Sequence, residues 1–324
     1  MLLSGDRTVI WVLIGVVAVF TIFFNVYIVL VSLRHYRENG HWLPCETIIT
    51  AFALGSTTHQ VVSYFFISLD KMDTYCILED HVLSTLLVII YSLKFCIVWL
   101  TAFLAFYYST KLVVEPIHCY TKIQEAILKH VTTVVVVIYL CGFGSCMPMM
   151  AAFDHLHSNV DTYDCGILRP KGSQGVAYMA YYLLMSDIIP GLIMVKSSIS
   201  ISVHLAIHLR HMKASTNGFH TPKLGAEMRV IRMSLGLIAI FICFLVVDLY
   251  VHYVNTVQNQ NVLPLTVLFS SIYTAMSSLV LIYGKKTLWK ELLHMFNLFL
   301  DEYPCLSCLK VPEKKPDTNA TPGH

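Results

Sequence analysis

Apolar residues in this chain run in long stretches and do not alternate with polar ones. Seven stretches stand out, over residues 8–33, 47–69, 82–108, 131–153, 176–207, 233–254 and 262–283. About 20 mostly apolar residues carry an α-helix across the hydrocarbon of a bilayer. A single segment satisfies its own backbone groups in lipid only as a helix. Four of the seven stretches contain no Asp, Glu, Lys or Arg. The connectors 34–44, 70–81, 109–130, 154–175, 208–232 and 255–261 are too short to cover seven such helices in a water-soluble fold. The pattern predicts an all-α membrane protein, a seven-transmembrane-helix bundle spanning residues 1–284.

The period changes after Gly284. Leu288, Leu292, Phe296 and Phe299 recur at helical spacing, with Lys285, Lys286 and Lys290 on the other side. This predicts an amphipathic helix over 285–300 lying on the membrane surface. The polar, Pro-containing residues 301–324 read as a disordered tail. No internal repeat is visible, which argues against transporters built from inverted repeats.

Composition agrees with the pattern. Of 324 residues, 56% are apolar and 13% charged, against about 25% charged in a soluble domain. A net charge of +2 gives no pull toward nucleic acid. The ten cysteines are scattered through apolar stretches, unlike a disulfide scaffold. The first stretch lacks a basic leader and is too long for a signal core, so it reads as the first membrane helix.

Charge placement sets an expected orientation. With the N-terminus outside, sixteen basic residues fall on the cytoplasmic side: Arg34, Arg37, Lys111, Lys122, Lys129, Arg210, Lys213, Lys223, Arg229, Arg232, Lys285, Lys286, Lys290, Lys310, Lys314 and Lys315. Four fall outside: Arg7, Lys71, Arg169 and Lys171. Lys94 and Lys196 lie within spans and complete the total of 22. Cytoplasmic loops are enriched in Lys and Arg, so the N-terminus is expected to be extracellular and the tail cytoplasmic.

Ionisable groups inside a bilayer cost several kcal/mol and need a reason. Lys94 falls ~20 Å along the third span and Asp187 ~16 Å along the fifth, counted from their outer ends at 1.5 Å per residue. Asp248 lies in the outer half of the sixth span. Two readings stand side by side: polar groups that orient a ligand in an apolar cavity, or an internal Lys–Asp bridge that fixes helix packing. Lys196 is deeper and reads as structural, snorkelling or bonded to carbonyls. His204, His208 and His211 share a helical face, but no carboxylate accompanies them, so no metal site is expected. Cys305-x-x-Cys308 suggests palmitoylation; as an isolated pair it is weak evidence for zinc. No catalytic constellation stands out, so neither an enzyme nor a cofactor is expected.

Several stretches resemble the bitter-taste (type 2 taste) receptors, a family of G-protein-coupled receptors. In the third span Trp99-Leu100 is followed by Tyr107-Tyr108-Ser109-Thr110-Lys111-Leu112, similar to the family's Trp-Leu then Phe-Tyr-x-x-Lys-Ile. In the fifth, Pro190, Ser197-Ser198, His208 and Met212-Lys213 keep the family's mutual spacing. Val230-Ile231-Arg232-Met233 stands where the family has Ala-Leu-Lys-Thr. Leu279-Val280-Leu281-Ile282-Tyr283-Gly284 resembles Phe-Ile-Leu-Ile-x-Gly. The third span lacks Asp-Arg-Tyr and the seventh lacks Asn-Pro-x-x-Tyr, as in bitter and type 1 vomeronasal receptors. Ser277 replaces a common His, and the one glycosylation sequon begins at Asn319. The chain therefore resembles a divergent member, of the kind expected in a non-mammalian vertebrate.

The resemblance implies the G-protein-coupled receptor fold, a plasma-membrane location and a small-molecule agonist. By motif alignment Lys94 stands at a pocket position often Asn, Ile90 at a Trp, Phe244 at a Tyr and Val267 at a Glu. With Asp187 and Asp248 these make the expected ligand set. Tyr108, Lys111, His208, Met212 and Arg232 are the expected contacts for a heterotrimeric G protein with a gustducin-like α-subunit. Many seven-helix receptors tie the start of the third helix to the second outer loop by a disulfide. Cys76 and Cys165 are placed for one, with two free thiols as the alternative. Membrane lipids and a second receptor subunit, like or unlike, complete the expected partners. The rival readings are a vomeronasal type 1 receptor and, in another class, a seven-helix transporter or membrane enzyme. Those last should show paired carboxylates or a His-rich cluster in the membrane.

Overall fold

A computed structural model describes residues 7–72, 80–112, 118–155, 168–170, 172–215, 224–257 and 263–302. It is a bundle of long helices. α1 (Arg7–Asn39) ends at Gly40, whose φ of 73° lies in the left-handed region. Its N–H donates to Tyr36 O at 2.8 Å, a helix stop that glycine adopts without steric penalty. α2 (Pro44–Met72) starts with proline at its first helical position, where a missing N–H has no cost. α3 (Asp80–Leu112) is the axis of the bundle. Of its most apolar window 83% is buried, against 22% for α1.

Six helices are long and apolar enough to cross a membrane by length and composition. α2 falls short in hydropathy because it carries Ser56, His59, Gln60 and Ser63, all fully buried. It packs between α1 and α3 and turns these groups inward. Gln60 Nε2 donates to Thr274 Oγ1 at 2.6 Å, and Ser270 Oγ lies 3.2 Å from His59 Nε2. With α2 the bundle has its seven spans.

The third and fourth spans are joined by a helix that the apolar pattern could not show, α4 (His118–Lys129). α5 (Val131–Cys146) is followed by the single turn α6 (Met149–Ala152). Strand β1 (Phe153–His155) then pairs antiparallel with β2 (Leu168–Pro170), Asp154 opposite Arg169. The expected all-α fold therefore carries one two-stranded ribbon, and the fourth span stops at Ala152, just short of the expected Phe153. The fifth span is continuous but composite: α7 (Gly172–Leu183), a π turn (Leu184–Ile188) and α8 (Ile189–Ser215). α9 (Leu224–Val257) and α10 (Leu263–Gly284) form the sixth and seventh spans. They approach so closely that a Cβ on Gly284 would overlap the Met233 side chain.

α11 (Lys286–Glu302) is the expected amphipathic helix. It buries Leu288 and Leu300 and leaves Phe296 and Phe299 on its exposed side. Tyr27 Oη donates to Leu288 O at 2.6 Å and ties this helix to α1. Hydropathy underestimated α8 and α9, because their polar ends stay helical beyond the apolar run.

Candidate functional site

The third, fifth and sixth spans converge on Lys94. Its side chain is 3% exposed, and its Nζ lies 2.8 Å from Asp248 Oδ2 and 3.6 Å from Asp187 Oδ2. Asp187 and Asp248 are 0% and 2% exposed. One ammonium thus faces two carboxylates in a site closed to water. Ser186 Oγ donates to Asp187 Oδ2. His252 Nε2 lies 3.5 Å from Asp248 Oδ2, one helical turn along α9. The Asp187 Oδ1 atom has no hydrogen-bond partner among the described residues.

Aromatic rings surround the ammonium. It lies 5.1 Å from the Phe244 ring centre and 5.7 Å from that of Tyr182. Both distances suit attraction between a cation and a ring face. Phe244 stacks on Tyr273 with centres 4.6 Å apart. Tyr182 meets Tyr91 edge to face and donates from its hydroxyl to Tyr91 O at 3.1 Å. Ile90 and Val267 lie in the apolar cluster that holds Tyr91 and Tyr182. The six expected ligand residues therefore divide. Lys94, Asp187, Asp248 and Phe244 meet directly, while Ile90 and Val267 belong to the adjoining apolar wall.

The π turn is what brings Asp187 there. Ile189 N–H donates to Leu184 O, the spacing of a π turn. The next bond in that register would run from Pro190 to Met185 O, and proline has no N–H. Trp99 Nε1 takes the vacant acceptor, donating to Met185 O at 2.9 Å. The extra residue in the turn changes the rotation of everything N-terminal to it, and Asp187 sits within it. Tyr182, Tyr91, Ser186 and His252 were missed by sequence reasoning. His252 had a signal, four residues after Asp248 on one helix face. Tyr182 had none, because its rotation depends on the π turn.

At the other end of the bundle, where α2 begins, Glu46 is 1% exposed. Lys285 Nζ lies 2.7 Å and His35 Nδ1 2.9 Å from its Oε1. Burial pushes the Glu46 carboxyl up, but the hydrogen bonds from Lys285 and His35 outweigh it and hold the carboxyl below its ordinary value. Arg34 bridges to Glu291 of α11 at 3.6 Å. Nearby, Tyr108 is half-buried, and Lys111 and Arg232 are exposed. Lys111 Nζ lies 4.9 Å from the Tyr107 ring centre. His208 and Met212 lie on α8, and their side chains are outside the described residues. Cys76, Cys165, Cys305 and Cys308 also lie outside the described residues. Among the described residues, no three His, Cys, Asp or Glu side chains gather as metal ligands.

Two comparisons bear on this arrangement. A family model described as Taste receptor protein (TAS2R) matches residues 1–299. The crystal structure of squid rhodopsin superposes with a TM-score of 0.70 at 12% identity, over 98% of this chain and 91% of that one. At that identity the likeness shows the fold alone, a G-protein-coupled receptor bundle. No curated protein matches the chain.

Proposed function

The chain belongs to the taste receptor (TAS2R) family, and from that premise we propose that it is a plasma-membrane receptor for small bitter or toxic molecules. Its N-terminus faces outward, in keeping with the sixteen-to-four division of basic residues. The ligand reaches the site where Lys94, Asp187 and Asp248 meet under the apolar wall of Ile90 and Val267. The observation that carries this reading is the buried ion cluster itself. It joins the third, fifth and sixth spans, and one carboxylate oxygen in it has no donor among the described residues.

An agonist acts by preferring one arrangement of those spans. A ligand shifts a conformational equilibrium only by its difference in affinity for the two states. A molecule that donates to Asp187 and competes for Lys94 loosens the tie between α3 and α9. The ends of the third, fifth and sixth spans carrying Tyr108, Lys111, His208, Met212 and Arg232 then part, and a helix of a gustducin-like G-protein α-subunit enters the groove. The family assignment weighs against a vomeronasal receptor and against a transporter or an enzyme; the two carboxylates that such a rival would need are here shared by the one Lys94 ammonium. The test is a panel of bitter compounds applied to cells expressing the receptor with a chimeric G protein coupled to calcium release. Compounds that raise calcium in receptor-bearing cells and fail in mock-transfected cells support the reading. A receptor present at the surface and silent to a broad panel overturns it.

A further inference from the structure

The two carboxylates at Lys94 are unequally supplied with hydrogen-bond donors. Asp248 has two nitrogen neighbours at its Oδ2, Lys94 Nζ at 2.8 Å and His252 Nε2 at 3.5 Å. Asp187 is contacted on one oxygen alone: Ser186 donates to its Oδ2, and Lys94 Nζ stands 3.6 Å from that same atom. The other oxygen, Oδ1, is buried and has no hydrogen-bond partner among the described residues. We propose that the agonists of this receptor are organic amines, whose protonated nitrogen donates to Asp187 Oδ1 beside Lys94. The inference rests on the reading of this cluster as the agonist site, and it adds the chemical class that the site selects.

Charge decides against an anion. A ligand carboxylate at Lys94 would be the third around one ammonium, and like charges crowded in a dry site repel strongly. Bond strength decides among donors. A buried acceptor without a partner is costly, and a neutral amide or hydroxyl would relieve that cost. A hydrogen bond from a cation to a carboxylate is about twice as strong. The surroundings suit a cation as well. The Phe244 and Tyr182 rings lie 5.1 and 5.7 Å from the Lys94 ammonium, and ring faces that attract one cation attract a second. The adjoining apolar wall of Ile90 and Val267 accepts the ligand's hydrocarbon body. His252 faces Asp248 and makes no hydrogen bond to Asp187 Oδ1, so it does not fill the position. The proton balances from either starting point. An ammonium meets the Asp187 carboxylate, or a free amine takes the proton of the Asp187 carboxylic acid, and the same ion pair results.

The test uses the full-length receptor in cells, with calcium release as the readout and surface level measured in parallel. The probes are a panel of aromatic amines, each matched by its N-formyl amide and by a carboxylic acid on the same skeleton. The amide keeps an N–H donor and loses the charge. Amines are expected to activate the receptor, their amides to be roughly tenfold less potent, the margin of a charge-assisted over a neutral hydrogen bond, and the acids to be silent. Asp187→Asn keeps the shape of the side chain and removes its charge, so it should bring amine and amide potencies together. Should that variant fail to reach the surface, the comparison of amine with amide on the unaltered receptor still decides. Amides or acids as potent as the amines overturn the proposal, and so does an amine preference that persists undiminished in Asp187→Asn. A receptor that answers neutral or acidic members equally well keeps the agonist reading and loses this inference alone. A receptor present at the surface and silent to the whole panel loses both.

Discussion

Lys94 has two acidic partners, and they are not equivalent. The 2.8 Å contact to Asp248 is a hydrogen bond, whereas Asp187 at 3.6 Å is an electrostatic neighbour held by Ser186. Removing the cation leaves two carboxylates facing each other in a dry site. Lys94→Met is therefore expected to destabilise the receptor by about 3–5 kcal/mol, the usual penalty for an orphaned buried charge. Asp248→Leu should lower stability less, because Asp187 remains to pair with Lys94. Adding Asp248→Leu to Lys94→Met should recover part of the loss, because it removes one of the two facing carboxylates. Thermal unfolding of the purified proteins in detergent orders the three. A double variant less stable than Lys94→Met would show that Asp248 has another role. These charges were legible in the sequence because an ionisable residue in an apolar stretch is an anomaly wherever it points. Their convergence was not legible, since it depends on helix rotation. Ile90 and Val267 entered by alignment alone and sit in the adjoining apolar wall.

The element that sets this rotation is the π turn before Pro190. The sequence showed a proline in the fifth span but not which carbonyl it would strand, because that depends on whether the turn closes at four residues or five. The Trp99–Met185 bond answers that question, and it yields a double-mutant prediction. Trp99→Phe leaves the Met185 carbonyl without its donor and should cost about 1–3 kcal/mol. Pro190→Ala restores a backbone N–H that can serve the same acceptor. In the Pro190→Ala background, Trp99→Phe should therefore cost measurably less. Equal costs in both backgrounds, by thermal unfolding, would refute this account of the turn. The same scale explains α2. Its polar face hid it from a hydropathy threshold, although its length and the absence of charge over 47–69 had already marked it as a span.

Two ionic clusters stand at different depths of the molecule, and the second answers to pH. Glu46 joins α2 to Lys285, at the junction of α10 and α11, and to His35 of α1. Its carboxyl is held below the ordinary value in the fold, so the unfolded chain binds the proton more readily. The stabilisation is then fully present above the ordinary glutamate pKa of about 4.3. It is lost as pH falls through the depressed value of the folded state. Glu46→Gln should abolish this part of the acid sensitivity while leaving the protein less stable at neutral pH. Thermal unfolding of both proteins across acidic buffers checks it, and parallel pH profiles would dismiss Glu46 as the source.

Which end of the molecule meets the cytoplasm follows from charge rather than from the bundle's shape, since seven helices pack equally well in either orientation. The basic residues gather at the ends of α1, α3, α8 and α9 on the side where α11 lies, and at α11 itself. Lys286 and Lys290 stand on a helix whose apolar side, with Phe296 and Phe299 exposed, suits the surface of a membrane. Anionic lipid is concentrated in the cytoplasmic leaflet and attracts such segments by about 1 kcal/mol per basic side chain. Both arguments predict α11 inside and the N-terminus out. Epitope tags placed before residue 1 and after residue 324 test this directly. On intact cells an antibody should stain the N-terminal tag alone, and the C-terminal tag should appear only after permeabilisation. Replacing Lys286 and Lys290 with Gln should weaken membrane attachment of α11 without inverting the protein, because basic residues around the other spans still hold the orientation. Surface staining of the C-terminal tag in the unaltered receptor would reverse the orientation. It would also move the Lys94 cluster to the cytoplasmic half, where an external agonist could not reach it from the near side.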